Sequence, residues 1–278
     1  MNESINKSCF LAPIHIDKFE YGYNLVKTYN DLFNDCNIYL VFSNQEYFDT
    51  FNKIYNDKNI KYRSIIYTDE YDPFLKGIIT LKKWFGLNYI YKNTDNQNVA
   101  VIDVDCLFIK KVDYNLLFHQ YLNNKKIHAN FIKDESSNYI KNIIISCVKF
   151  FKESDQKTLS HLTHNFKLYF WFNNICIYNK ELYLKFLEYI NYEKIKHEIS
   201  WFDFDYIVYC YYLLVTNKIE LKVIKHSSLN SSFIEDQNNI DQELFTKLFV
   251  EYNPMWIKTE IQESDMENVF IKLHVDRN

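Results

Sequence analysis

Two carboxylates one residue apart, Asp103 and Asp105, have the types and spacing best suited to chemistry in this chain. They follow the apolar run from Val99 to Ile102, which predicts a strand buried on both faces. Alternation along an extended chain would direct both carboxylates to the same side of the strand end. Because charges inside a sheet are costly unless they are paired or bind a metal, the pair predicts a divalent-cation site. A solvated acid pair that caps a turn is the alternative.

This arrangement resembles the Asp-X-Asp motif of GT-A-fold, nucleotide-sugar glycosyltransferases of the bacterial surface-glycan type. The resemblance implies that Asp103 and Asp105 hold Mn²⁺ or Mg²⁺, which grips the diphosphate of a nucleotide-sugar. Several GT-A families also return a C-terminal histidine to the metal, and this assigns His274 as a further ligand. The chain lacks the H-x-x-G-x-x-K-P-W tail of galactinol- and glycogenin-like retaining enzymes, so the stereochemical course stays open.

The same resemblance assigns residues to the donor. Pro13 and His15, at the carboxyl end of the first predicted strand, and Asp17, in the loop after it, would contact the base and ribose. Lys82 and Lys83 lie on the helix before the acid pair and would face the donor phosphates. Adjacent residues point about 100° apart on a helix, so at most one of the two lysines is expected to face inward. For either lysine, a solvated surface position is the alternative.

Further residues are assigned to the acceptor and to proton transfer. Asn173 and Asn174 stand where the family has a segment that touches the acceptor or the transferred sugar, although their amides could instead bond neighbouring backbone. Asp203 and Asp205 resemble the acidic residue at a helix start that many inverting GT-A enzymes use as general base. We expect Asp205 to be the base and Asp203 the helix cap, with the reverse left open.

Strands that alternate with helices must position these residues. The patterns predict strands at 9–16, 38–42, 61–67 and 99–103, with helices at 23–34 and 73–91. This alternation predicts an α/β, GT-A-like (Rossmann-like), mainly parallel sheet flanked by helices in a single domain, 1–278. Residues 9–111 would bind the nucleotide-sugar, and 112–278 would bind the acceptor and return the C-terminal tail to the metal. The second half is predicted to contain helices at 114–123, 180–192 and 203–216, strands at 127–132 and 221–224, and a loop or lid at 149–167.

Composition limits the classes of function. The chain has 278 residues, of which 47% are hydrophobic and only 3 are glycine, and it has no Gly-rich phosphate loop. Any bound phosphate must therefore be held by metal and side chains. A net charge of −4 argues against nucleic-acid binding. Six scattered cysteines, no apolar N-terminal leader and no long apolar run predict a cytoplasmic protein, with peripheral membrane contact as an option.

The sequence therefore predicts a metal-dependent glycosyltransferase that uses a nucleotide diphosphate donor, with a UDP-sugar expected. The acceptor would be a glycan or a lipid-linked glycan, in surface polysaccharide or lipooligosaccharide synthesis. Two alternatives remain. The first is a nucleotidyltransferase or phosphohydrolase that uses the same acid pair. The second is a non-catalytic carbohydrate-binding protein of the same fold.

Overall fold

The computed structural model describes residues 7–71, 74, 77–108, 111–131, 138–169, 176–223, 249–252 and 270–273. Its strands are β1 (Ser8–Pro13), β2 (Ile38–Phe42), β3 (Arg63–Ile66), β4 (Asn98–Val101), β5 (Cys106–Phe108), β6 (Lys126–Phe131), β7 (Leu168–Tyr169), β8 (Cys176–Asn179), β9 (Glu220–Val223), β10 (Phe249–Tyr252) and β11 (Phe270–Leu273). Its α-helices are α1 (Phe19–Leu32), α2 (Gln45–Ile54), α3 (Ile78–Asn93), α4 (Tyr114–Asn124), α5 (Asn138–Val148), α6 (Glu153–Leu162), α7 (Lys180–Tyr189), α8 (Tyr192–Ile195) and α9 (Asp205–Val215).

The central sheet has the order β3-β2-β1-β4-β8. Strands β3, β2, β1 and β4 run parallel, and β8 pairs antiparallel with β4. Two smaller sheets have the orders β10-β11-β5 and β7-β6-β9. Every residue of β1, β2 and β4 is buried, as expected of parallel strands that are covered on both faces.

Two hydrophobic cores lie on opposite faces of this sheet. Along β1, Cys9 and Leu11 belong to the core that also contains Trp84 of α3 and the apolar residues of α7 and α9. Phe10 and Ala12 belong to the other core, with α1, α2 and α4. Successive strand residues point to opposite faces, so each buried strand supplies both cores. The predicted fold class, a mainly parallel sheet flanked by helices on both faces, is confirmed.

Helix α3 is buried on more than one side because it packs against β1 and β2 and also contacts α9. On the side of the sheet the approach is close: a Cβ at Gly86 would lie 2.8 Å from a methyl carbon of Val41 and 2.9 Å from one of Leu11. Glycine allows the helix and the sheet to approach this closely. Because α3 lies between the sheet and α9, its polar side chains must find partners in one or the other.

Some element boundaries differ from the sequence prediction. Strand β4 ends at Val101, whereas the prediction extended it to residue 103. Residues 149–167, predicted to be a loop or lid, contain α6. Acidic residues in the first turn favour this helix, and Glu153 pairs with Lys157 at 2.7 Å one turn later. The pattern left residues 138–148 without an assignment, and they form α5. In the described part of the chain no helix is long and apolar enough to cross a membrane.

Candidate functional site

The strand order locates a crevice at the carboxyl end of the sheet. From β1 the chain moves to β2 and then to β3 on one side, and β4 lies on the other side of β1. The order therefore reverses between β1 and β4. Open α/β sheets bind ligands outside the carboxyl ends of the strands at such a switch point. The segments that flank this switch point are residues 14–17 after β1 (the β1 wall) and residues 102–106 after β4 (the acid-pair turn).

The acid-pair turn carries Asp103 and Asp105 between β4 and β5. Ile102 N donates to Leu11 O at 2.9 Å, and Cys106 N closes the turn on Asp103 O at 3.2 Å. The side chain of Asp103 is 44% exposed, whereas Asp105 is 6% exposed. The strand alternation that would place both carboxylates on one side does not apply, because the residues lie in a turn. Asp103 and Asp105 therefore both lie at the crevice, but Asp103 is partly exposed to solvent and Asp105 is buried.

Lys83 links the acid-pair turn to the start of α9. Its Nζ lies 3.5 Å from Asp103 Oδ1 and 3.1 Å from Asp205 Oδ1, and its side chain is 12% exposed. The other oxygen of Asp205 accepts a hydrogen bond from Tyr178 Oη at 2.7 Å. Asp205 is 2% exposed and is the first residue of α9, where the helix dipole favours a carboxylate. The result is a cation held between one exposed and one buried acid.

Lys82 is fully buried and points elsewhere. Its Nζ donates to Ile14 O at 2.7 Å and to Ser43 Oγ at 3.1 Å. Burial lowers the pKa of this amine to about 7. The sequence predicts that at most one of the two lysines faces the donor phosphates, and of the two only Lys83 lies at the acid-pair turn. Lys82 is fully buried and the side chain of Lys83 is only 12% exposed, because α3 lies between the sheet and α9, so that two of its faces are covered. Lys82 is too deep to meet a donor phosphate in this structure.

Asp203 is bound on all sides by protein groups. Its carboxylate accepts hydrogen bonds from Ser146 Oγ (2.5 Å), Lys149 Nζ (2.7 Å), Ser200 N (2.6 Å) and Ser200 Oγ (2.9 Å). The predicted capping role is wrong, because the residue that caps α9 is Phe204 and it makes no side-chain capping bond. The physical reason is that the Asp203 side chain is used to join α5 to the segment before α9.

The β1 wall contains the residues predicted to contact a nucleoside. Pro13 is the last residue of β1, lies opposite Val41 and is buried within the strand. His15 Nδ1 accepts a hydrogen bond from Asp17 N at 3.4 Å and lies 3.3 Å from the Asp17 carboxylate. The His15 ring stands edge-on to Tyr47, with ring centroids 6.1 Å apart. His15 and Asp17 are accessible to a ligand, with side chains 44% and 78% exposed, whereas Pro13 is not.

Three other predicted site residues, Asn173, Asn174 and His274, lie outside the described residues. The strand before His274 is described: β11 pairs antiparallel with β5, and Lys272 lies opposite Cys106. The C-terminal strand therefore ends beside the acid-pair turn. Within the described residues no three His, Cys, Asp or Glu side chains form a group that could hold a metal ion.

The sequence reasoning missed the partners that fix these side chains. Tyr178, which bonds Asp205, lies in the apolar strand β8, and the need of a buried tyrosine hydroxyl for a partner was the available signal. Ser43 and Ser146 gave no comparable signal. They are ordinary polar residues whose roles arise from contacts with residues 39 and 57 positions away in the sequence.

No protein-family model matches the sequence, and no curated protein is significantly similar to it. Solved structures with a similar arrangement include core-mannan synthase A from Aspergillus fumigatus in its Mn/GDP form, with 12% identity and a TM-score of 0.43 over 80% of this chain and 74% of that one. An active-site mutant of LgtC has 11% identity and a TM-score of 0.43 over 95% and 86%. The 4-diphosphocytidyl-2C-methyl-D-erythritol synthase from Anaerococcus prevotii DSM 20548 has 13% identity and a TM-score of 0.40 over 82% and 92%. At these values the likenesses say nothing about the chemistry of this chain.

Proposed function

We propose that this protein is a metal-dependent glycosyltransferase that moves a sugar from a nucleotide diphosphate donor to a glycan or lipid-linked acceptor. The observation that carries the proposal is the position of the acid-pair turn. It lies at the switch point of a parallel sheet, and Lys83 lies between Asp103 and the buried Asp205. Carboxylates for a divalent cation and an ammonium for phosphate oxygens thus occur together at the crevice.

The residues present fit a hard divalent cation, Mn²⁺ or Mg²⁺. Asp103 and Asp105 offer carboxylate oxygens, and Mg²⁺ is usually held by one or two carboxylates together with substrate phosphates and water. A site of this kind does not need three protein ligands before the donor binds. We assign His274 as a further ligand, on the grounds that β11 ends beside the acid-pair turn. The bound cation would supply charge neutralisation for the diphosphate.

Lys83 is assigned to the leaving group. In the transfer, the bond between the anomeric carbon and the diphosphate oxygen breaks, and a bond from the acceptor oxygen forms. Negative charge accumulates on the diphosphate, and an ammonium already fixed beside it stabilises that charge without reorganisation. Asp205 acts through Lys83, which it holds, and Tyr178 acts through Asp205; both residues lie too deep to meet the reacting atoms.

The acceptor proton needs a base, and neither predicted aspartate is well placed to be one. All the oxygens of Asp203 and Asp205 carry protein partners, and both residues are at most 2% exposed. This arrangement favours the retaining course, in which the departing diphosphate accepts the acceptor's proton. Nuclear magnetic resonance of the product's anomeric proton tests this point. A product of inverted configuration would restore an aspartate as the base.

The remaining assignments follow the crevice walls. His15 and Asp17 would contact the nucleoside, while Asn173 and Asn174 would contact the acceptor or the transferred sugar. We propose a UDP-sugar as donor and surface polysaccharide or lipooligosaccharide synthesis as the pathway, at the cytoplasmic face of the membrane. A lipid-linked acceptor would bring the protein into peripheral membrane contact.

The first experiment is a thermal-shift series with UDP, GDP, CDP, CMP and their sugars, each with Mn²⁺ and with EDTA. We expect one nucleotide to stabilise the protein more strongly with Mn²⁺ than with EDTA. Asp103→Asn and Asp105→Asn should remove the Mn²⁺-dependent part of the shift while circular dichroism shows an unchanged fold. An unchanged shift in both variants would end the proposal. Pyrophosphate release from a nucleoside triphosphate would instead support the nucleotidyltransferase alternative.

A further inference from the structure

The buried position of Lys82 is energetically unfavourable for an amine. A buried amine without a carboxylate partner loses hydration, and an apolar side chain would fill the same space at lower cost. Its described hydrogen bonds go to a carbonyl and a hydroxyl, Ile14 O and Ser43 Oγ, neither of which neutralises a positive charge. The lowered pKa of Lys82, about 7, expresses this cost. We therefore look for the role of Lys82 in the two groups that it connects, Ile14 O and Ser43 Oγ.

The first group is the start of the β1 wall. Ile14 N continues the pairing of β1 with β2 by donating to Val41 O at 2.9 Å, and Lys82 binds the carbonyl of the same residue. The next residue is His15, whose ring is accessible at the crevice. Both backbone polar groups of Ile14 are thus fixed immediately before the wall begins.

The second group is the hydroxyl of Ser43, which connects the end of β2 to the β1 wall. Ser43 follows β2 and precedes Asn44, whose side chain caps α2 by accepting from Tyr47 N at 2.9 Å. Tyr47 lies in the first turn of α2, and its ring stands against His15. One amine therefore holds both of the segments that bring these two rings together.

The two adjacent lysines of α3, Lys82 and Lys83, hold opposite walls of the crevice. Lys83 holds the acid-pair turn through Asp103, and Lys82 holds the β1 wall through Ile14. We propose that Lys82 is a positioning residue that fixes the β1 wall relative to the acid-pair turn and so sets the affinity for the nucleoside part of the donor, without touching the donor. This inference rests on the proposed function.

The test is calorimetric titration of UDP and GDP, with Mn²⁺ and with EDTA, into wild type and variants of the full chain. Lys82→Met keeps the length of the side chain and removes its hydrogen bonds. Ser43→Ala removes one of these bonds from the other side, and serves if Lys82→Met does not fold. Lys92→Met is the matched control, because Lys92 is an exposed lysine of the same helix.

We expect Lys82→Met to weaken nucleotide binding about tenfold, Ser43→Ala to weaken it less, and Lys92→Met to leave it unchanged. The ratio of affinities with and without Mn²⁺ should stay at the wild-type value in Lys82→Met, because the acid pair is intact. Hydrogen exchange should be faster at residues 14–17 in this variant. General destabilisation would instead raise exchange throughout the chain, and not at residues 14–17 in particular.

Each outcome bears on a different statement. If wild type binds a nucleotide and Lys82→Met or Ser43→Ala binds it equally well, the role of Lys82 is refuted and the proposed function stands. A changed Mn²⁺ ratio in Lys82→Met would also refute it, by placing the lysine at the metal end. If wild type binds neither nucleotide under any condition, the proposed function fails and this inference fails with it.

Discussion

Lys82 and Lys83 are neighbours in the sequence but have different electrostatic surroundings. Lys82 lies among neutral partners, so burial alone acts on its amine and lowers its pKa. Lys83 lies between two carboxylates, those of Asp103 and Asp205. One residue of offset along α3 therefore separates an amine with neutral partners from an amine that lies between two acids.

The pKa of Lys82 makes a prediction about stability and pH. In the folded chain the pKa is about 7, against an ordinary value of 10.5. Between these values the unfolded chain binds a proton that the folded chain does not. The free energy of unfolding therefore rises with pH from about 7 to about 10.5, with a slope of up to about 1.4 kcal/mol per pH unit. Below about pH 7 both states bind the proton, so the gain is absent and this group gives no further dependence on pH.

Urea unfolding at pH 7, 8 and 9 measures this effect as a difference between wild type and Lys82→Met. The free energy of unfolding of wild type should increase relative to that of Lys82→Met at each higher pH. That of Lys92→Met, a substitution at an exposed site, should change with pH as wild type does. A difference between wild type and Lys82→Met that does not change with pH would show that the amine titrates normally.

Lys83→Met should destabilise the fold by about 3 kcal/mol, because the variant leaves the buried Asp205 without its cation. Adding Asp205→Asn to Lys83→Met should recover part of this loss, since the amide needs no counter-charge. Urea unfolding of the two single variants and the double variant gives the coupling energy. Additive effects would mean that the ion pair is not formed.

At the scale of elements, the start of α9 is tied to two other helices. The side chain of Asp203 binds Ser146 of α5 and Lys149 directly after that helix, and its carbonyl accepts from Thr80 Oγ1 of α3 at 2.6 Å. These bonds are made two residues before Asp205. They decide where α9 begins and hence where Asp205 meets Lys83. Asp203 serves the site through the position of the helix.

Asp203→Asn should lower the free energy of unfolding by about 3 kcal/mol, because a buried carboxylate with four hydrogen bonds is replaced by a group that cannot accept them all. Lys149→Met should cost less, since Lys149 is 38% exposed. Transferase assays on folded Asp203→Asn, well below its melting temperature, should give a pH profile like that of wild type. Loss of the acidic limb of that profile, where a general base must lose its proton before it can act, would identify Asp203 as the base.

At the scale of the whole molecule, two cores share one sheet. Strands β1 and β4 are central and buried on both faces, whereas β3 lies at an edge and its first residue, Arg63, is exposed. The crevice is built at the carboxyl ends of the best-protected strands. A rigid frame of this kind can hold the loops of the site in place.

Native-state hydrogen exchange should show this organisation. Amides of β1 and β4 should exchange only through global unfolding, with free energies that follow the stability from urea. Amides of β3 should exchange faster, through local opening at the edge. Equal protection of the edge and central strands would contradict the arrangement of two cores around a common sheet.

The sequence determined the parts of the fold that depend on local periodicity. Apolar runs of strand length predicted β1, β2 and β4, because a strand covered on both faces has no polar side to interrupt it. Helix α5 escaped prediction, and α6 was predicted as a loop. The apolar periodicity of these two segments is weak, and both helices are stabilised by packing against α9.

The sequence also determined by itself which residues carry charge at the crevice, since Asp103, Lys83 and Asp205 stand out against apolar surroundings. Only the tertiary structure decided what each one touches. Asp203 became a structural link, Lys82 a tie between two strand ends, and Tyr178 the partner of Asp205. The reason is that these contacts join residues 27 to 68 positions apart in the sequence, and local sequence patterns do not encode contacts over such separations.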